Sequence, residues 1–187
     1  MAVVAMQAWL GRLLRCFAAP NPPLSQALLS MKRIVLLLTF YPALLNAAVD
    51  LVKVDKSENR MMLMENGQVV TEYHVVFGEN PEGHKLQEGD ERTPEGRYTL
   101  DYKKENSSFY RSMHISYPNA EDEAKAEEVG VSPGGFIMVH GQKNGFGWLS
   151  FFFQQFNWTD GCIALTNSDM DDFMERVDVG TPIEIQW

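Results

Sequence analysis

The dipeptide Asn66-Gly67 stands between two runs rich in apolar residues, Arg60–Glu65 and Gln68–Phe77. A two-residue link of this composition closes a tight β-hairpin. Both central residues take positive φ, and Asn and Gly do so at least cost. The rest of the chain keeps its apolar segments equally short. Val49–Val54 reads as a preceding strand, and Gly78–Gly96, rich in Gly, Pro and charge, as a long loop. The turn Thr93-Pro94-Glu95-Gly96 leads into a strand at Arg97–Tyr102, and Tyr110–Ser116 is another. Gly135–Val139 is an apolar strand with His140 at its end, Ile163–Leu165 a brief buried strand and Ile183–Gln186 the last one.

Helices are few. Pro118–Glu128 combines Ala and Glu with Pro near its start and Gly130 at its stop. A second helix runs to about Val177, capped by Asn167 or Ser168, with Met170, Phe173, Met174 and Val177 at 3, 4 and 7 spacing. Trp148–Phe156 is a short aromatic helix or a lid. The expected fold class is mainly β, with two or three short helices in one domain and no internal repeat.

Charge divides the chain. No acidic residue precedes Asp50, and the run MKRIVLLLTFYPALLNAA from Met31 has two cations, an apolar stretch and small residues at Ala47 and Ala48. This is the layout of a secretory signal peptide, too short for a bilayer span of about 20 residues. Residues 1–48 are therefore expected to be a leader, with translation starting at Met31; a long two-part leader or an uncleaved anchor is the alternative. Residues 49–187 form the expected domain, and the chain meets a membrane only through the leader if it is not cut. Removing 48 residues leaves 12 basic against 25 acidic residues, a net charge of −13. That balance argues against nucleic acid as a partner, since phosphate binding needs clustered Lys and Arg. It also leaves one of the chain's two cysteines, Cys162. A lone thiol in an oxidising compartment is either buried and inert or retained for its chemistry.

Two places carry chemistry. In Val139-His140-Gly141 a histidine ends a buried strand before a glycine. In Thr159-Asp160-Gly161-Cys162-Ile163 the thiol follows a glycine and leads into apolar residues. A thiol with an ordinary pKa of roughly 8.5 needs a base or a cation beside it to become a nucleophile. His140 is the candidate base, and backbone N–H groups around Gly161 and Cys162 are candidate donors to an oxyanion. Spacing alone leaves two readings open: a Cys/His nucleophilic pair, or a buried inert cysteine with an unrelated histidine.

Four stretches resemble one subgroup of the L,D-transpeptidase catalytic-domain family. They are HISYPN at His114–Asn119, PGGFIMVHG at Pro133–Gly141, TDGCIALTN at Thr159–Asn167 and GTPIEI at Gly180–Ile185. The resemblance extends from about Val49 to Trp187. It implies a β-sandwich-like catalytic fold, no cofactor, no metal, and ping-pong acyl transfer on peptidoglycan stem peptides in the periplasm or cell envelope. Cys162 would attack the carbonyl between the third-position diamino acid and the following D-Ala, with His140 as base and then acid. An amine from another stem peptide, or from a lysine of a wall-anchored protein, would resolve the thioester. Water in its place would make the enzyme an amidase or endopeptidase that hydrolyses a stem-peptide bond or a link to a wall-bound protein, and a third reading is a non-catalytic wall-binding module. The sequence departs from the common family pattern at Asp160, where many members have a second histidine, and at Ala164, where many have arginine.

Supporting roles are assigned around this pair. Gly161, Thr159, Asp160 and Gly141 are expected to support the turn and the oxyanion, Asp160 by orienting His140 or by an Asx-type bond. His114, Ser116 and Tyr117 are expected to line the donor site, or in the case of His114 to be a packed strand histidine. Trp148 and Trp158 belong to a segment with six aromatics in eleven positions, which cannot all face one way on a helix. His74 and His84 show no metal-ligand spacing with the other histidines. The domain is expected to act as a monomer.

Overall fold

The computed structural model describes residues 48–187, and residues 1–47 of the expected leader fall outside them. The chain forms β1 (Leu51–Asp55), β2 (Arg60–Glu65), β3 (Gln68–His74), β4 (Gly96–Ser107), β5 (Tyr110–Ile115), β6 (Met138–His140), β7 (Ile163–Ala164) and β8 (Pro182–Gln186). Three short helices accompany them: α1 (Ala120–Glu128), α2 (Ser150–Phe153) and α3 (Asn167–Arg176). The class is mainly β, as the spacing of apolar runs predicts. No helix among the described residues is long and apolar enough to cross a membrane.

The eight strands form one mixed sheet in the order β3-β2-β1-β8-β4-β5-β6-β7. The hairpin closes through Asn66 and Gly67 at φ 52° and 77°, the positive values that such a turn demands. β4 joins the two halves of the sheet. Its first residues, Gly96–Thr99, pair with β8, and the rest pairs with β5 across two register shifts, the kind of irregularity that bends a strand. The residues after β3 then reach the far end of the order. Val76 and Ala164 exchange N–H···O bonds of 3.1 and 2.8 Å. The first and last strands of the sheet are thereby tied together, which covers edges that would otherwise invite pairing with other chains.

Several boundaries differ from the sequence reading, each for a local reason. β3 stops at His74 because the following residues turn to other partners. The Phe77 N–H donates to Asn157 Oδ1 at 2.9 Å, and the Phe77 carbonyl accepts from Trp158 and Thr159. β6 is confined to Met138–His140 because Gly134 and Phe136 take positive φ, 75° and 55°, and interrupt extended backbone. α3 is capped by Thr166, whose Oγ1 accepts the Asp169 N–H at 3.1 Å. Asn167 does not cap it, being engaged as acceptor of the Gln142 N–H at 2.8 Å. α1 starts after Asn119, which forms a reciprocal capping box with Asp122.

The core lies under the sheet face that carries Val52, Leu63, Leu100, Met113, Val139, Ile163 and Ile183, all fully buried. α3 covers it with Met170, Phe173 and Met174. Each such side chain contributes about 1.5–3 kcal/mol by leaving water. The 78–96 loop is fixed by buried cations. Lys56 Nζ donates to the carbonyls of Gly83 and Thr93 at 2.8 and 3.1 Å and pairs with Glu95, and Lys85 pairs with Asp90 at 2.8 Å.

This loop is pressed against the turn before Cys162. Gly161 sits at φ 122°, and a Cβ there would lie 2.5 Å from the Arg92 carbonyl oxygen. Gly161→Ala is therefore expected to destabilise the fold by about 3 kcal/mol, from strained backbone and overpacking together. Gly67→Ala, with nothing within 4 Å of the new carbon, should cost only about 1 kcal/mol, from backbone strain alone. Equilibrium urea unfolding of the two variants checks the contrast.

Candidate active site

β6 and β7 run parallel, with Val139 opposite Ile163 and His140 opposite Ala164. Val139 and Ile163 point into the core. Side chains alternate along a strand, so His140 emerges on the other face, and Cys162, just before β7, emerges there too. β5 adds Ser112 opposite His140 and His114 opposite Met138. A pocket of about 570 Å³ opens on this face, and both Cys162 and His140 line it.

The sulfur is held by β6. Met138 directs its N–H toward the β7 side of the ladder, but β7 begins only at Ile163. The N–H donates instead to Cys162 Sγ at 3.4 Å, and the thiol points at the Phe136 carbonyl 3.8 Å away. Burial pushes the thiol pKa up, and the Asp160 carboxylate adds to this. The Met138 N–H and the Lys85 ammonium oppose it.

His140 is only 4% exposed. Its ring lies 4.7 Å from that of Phe109 and 5.8 Å from that of Trp158, centroid to centroid. Nδ1 is 2.6 Å from the Gly141 carbonyl oxygen. A carbonyl only accepts, so Nδ1 carries the hydrogen and Nε2 keeps a lone pair. Burial pulls the pKa down to about 4, against the opposing pull of that carbonyl. The resting site thus holds a neutral thiol and a neutral imidazole. Ionisation of the thiol by its neighbour does not describe this state, because desolvation dominates both groups. The chemistry open to it is general-base catalysis, with the proton moving as the sulfur attacks.

The YkuD family, the L,D-transpeptidase catalytic domain, matches residues 50–185. The chain belongs to this family. It is 28% identical over 115 residues to YafK of Escherichia coli K12, a protein named for the same family; the match covers 60% of this chain and 39% of YafK. The structure is similar to that of the helical cell shape determining protein Pgp2 from Campylobacter jejuni, with 25% identity and a TM-score of 0.55, over 73% of this chain and 46% of Pgp2. It shares its fold with an L,D-transpeptidase from Mycobacterium smegmatis, with 18% identity and a TM-score of 0.51, over 75% of this chain and 59% of the other. The chain spans less than half the length of YafK or Pgp2.

Within this L,D-transpeptidase domain the turn before the cysteine is held by Thr159. Its Oγ1 donates to the Cys162 carbonyl at 2.7 Å and accepts the Gly161 N–H at 3.2 Å. Gly161 is thus engaged in the turn. Gly141 is packed where a Cβ would meet Asn167 at 2.8 Å and Tyr110 at 3.0 Å. The Asp160 carboxylate forms no hydrogen bond among the described residues. It lies on the pocket rim, and the Gly141 carbonyl, not Asp160, orients His140.

The other expected residues separate. Trp158 lines the pocket, whereas His114, Ser116, Tyr117 and Trp148 do not. His114 shares the sheet face but donates from Nδ1 to Asp101 at 2.7 Å and stacks on Tyr102 at 4.6 Å. Ser116 Oγ accepts the Thr99 N–H, and Tyr117 donates to the Pro133 carbonyl, so both tie the backbone. Trp148 is 75% exposed. Residues not singled out from sequence also line the pocket, among them Phe109, Ser112, Phe136, Gln142 and Lys143. Ser112 has a sequence signal in its strand parity with His114, two residues on. Phe109 has none, since the tight turn between β4 and β5 places it. Among the described residues no three His, Cys, Asp or Glu side chains converge to hold a metal ion.

Proposed function

We propose that the protein is an exported cysteine acyltransferase of the cell envelope, acting on peptidoglycan stem peptides by L,D-transpeptidation. The observation that carries this is the shared pocket of Cys162 and a tautomerically fixed His140. As Cys162 Sγ bonds to the scissile carbonyl carbon, His140 Nε2 takes the thiol proton. The carbonyl oxygen becomes an oxyanion facing the Cys162 N–H. Collapse breaks the C–N bond, His140 returns the proton to the departing D-Ala amine, and a thioester remains. An amine from a second stem peptide or a protein lysine then attacks the thioester by the same steps in reverse. Hydrolysis is the same sequence with water as the acceptor. The Pgp2 likeness supports a role connected with the wall, because Pgp2 is named for determining cell shape.

The test is product analysis. The purified protein is incubated with disaccharide-tetrapeptide, with and without an amine acceptor, and the products are weighed. Release of D-Ala with formation of the acceptor adduct is the expected result. Release without adduct would assign the hydrolase instead. Binding with no D-Ala release at all would leave hydrolysis of a link to a wall-bound protein, or the wall-binding module.

A further inference from the structure

His114 lies outside the pocket, yet the sheet builds a cluster around it. β4 carries one residue more than β5 at this level. Leu100 faces Ile115 and Lys103 faces Met113, so Asp101 and Tyr102 both stand opposite His114. A bulge of this kind re-aims a side chain. Leu100 is buried in the core, and Lys103 donates to the Met174 carbonyl on α3 at 2.6 Å. Asp101 and Tyr102 between them are both exposed. Each holds the imidazole. Asp101 Oδ1 lies 2.7 Å from Nδ1, and the Tyr102 ring stacks on His114 at 4.6 Å with the planes 12° apart.

Phe136 extends the row. Its ring stands edge-on to His114 at 6.5 Å and is 81% exposed. Its backbone sits at φ 55°, a region that a bulky side chain enters only at a cost. Neither burial nor backbone preference accounts for a phenyl group there, and strain of this kind points to a ligand contact. The Phe136 carbonyl is 3.8 Å from Cys162 Sγ. The row therefore begins at the nucleophile and runs away from it across β5 to β4.

The chemistry of the row selects its ligand. Exposed rings in a row attract an apolar surface. The imidazole, with Nδ1 committed to Asp101, presents Nε2, which accepts a hydrogen bond when the ring is neutral and donates one when it is charged. A hydroxyl answers both states. The Asp101 carboxylate, in a chain of 25 acidic against 16 basic residues, disfavours an anion. An uncharged ring with C–H faces and a rim of hydroxyls meets all three conditions, and that is a pyranose. We propose that Phe136, His114 and Tyr102 form a glycan subsite, which binds a sugar ring of the strand whose stem peptide enters the pocket at Cys162. This rests on the peptidoglycan reading for the identity of the sugar, but the subsite can be tested without turnover.

The experiment uses the full chain carrying Cys162→Ala, which cannot react. Calorimetry measures its binding of disaccharide-tetrapeptide, of the free tetrapeptide and of a peptide-free tetramer of β-1,4-linked N-acetylglucosamine. The disaccharide form is expected to bind about tenfold more tightly than the free peptide, the scale of one aromatic contact together with one neutral hydrogen bond. The tetramer is expected to bind by itself. Adding Tyr102→Ala and Phe136→Ala together should bring the ratio close to one and abolish tetramer binding, with the urea midpoint showing that the variant is folded. Tyr102→Phe keeps the ring and should keep both. His114→Phe keeps a ring but not the nitrogen, and should lower the ratio by about threefold, the share of the hydrogen bond. A ratio of one before the row is changed, a tetramer that does not bind, or a preference that survives the double change would overturn the proposal. Turnover by the chain with Cys162 intact is scored separately. A sugar preference without D-Ala release sinks acyl transfer and leaves the glycan subsite standing. Release without the preference does the reverse.

Discussion

Cys162→Ala is expected to eliminate D-Ala release and covalent capture together, a loss of about 10⁴-fold or more, as when the nucleophile of a covalent mechanism is removed. Intact mass after exposure to a carbapenem gives the direct measurement. The strained lactam acylates a competent thiol and stays attached, so the parent should gain one adduct and the variant none. Folding should survive the change. The sulfur makes two weak contacts, at 3.4 and 3.8 Å, and the Met138 N–H that it accepts lies at the pocket wall, where water can replace the sulfur. The unfolding midpoint of Cys162→Ala should therefore stay near that of the parent, so that lost capture reports chemistry and not collapse. The raised thiol pKa adds a second signature. Alkylation by iodoacetamide at neutral pH should be slower than for an unstructured cysteine, because less thiolate is present. Fast alkylation at neutral pH, or an adduct on Cys162→Ala, would sink the general-base account.

Much of this architecture is legible in the sequence because it rests on local physics. Asn66-Gly67 specifies its own turn, the 3, 4 and 7 spacing from Met170 specifies a buried helix face, and the apolar run before His140 specifies a buried strand. What is not legible depends on partners distant in sequence. That β3 ends at His74 depends on Val76 meeting Ala164. That Asn167 is no helix cap depends on Gln142. The same division holds at the site. His140 and Cys162 are conspicuous as residues, but their protonation states are not, since these follow from how deeply the folded chain buries each group. Strand parity shows that Ser112, Met138 and His140 share one face only once β5 and β6 are known to be neighbours. Lys143 is invisible in the same way: three residues after a histidine is no signal until a pocket joins them. His114, Ser116 and Tyr117 lie in a recognisable motif, yet the structure engages each in a local bond outside the pocket.

His140→Gln is expected to lower turnover by about 10²–10⁴-fold, the usual contribution of a positioned acid–base group, while leaving Cys162 in place. The pH dependence makes the prediction specific. The folded pKa of His140 is pulled from its ordinary value of 6.5 to about 4, so kcat/KM of the parent should hold through pH 6 and 5 and fall only near pH 4. Stability carries the same signature with a defined sign. Between pH 6.5 and 4 the unfolded chain binds a proton on this histidine that the folded chain refuses. The unfolding free energy contributed by this group is therefore complete above 6.5, drains as pH falls through the interval, and is gone below about 4. Its size is about 3 kcal/mol, at roughly 1.4 kcal/mol for each pH step between the unfolded and folded values. Urea unfolding of the parent at pH 7, 5 and 4 should show this decline on top of the carboxylate background, and His140→Gln, which has no proton to refuse, should show only the background. An activity limb near 6.5 in the parent, or identical pH slopes in the two proteins, would mean that the imidazole is solvated and free to charge. The neutral Nε2 base at the centre of the mechanism would then have to be abandoned.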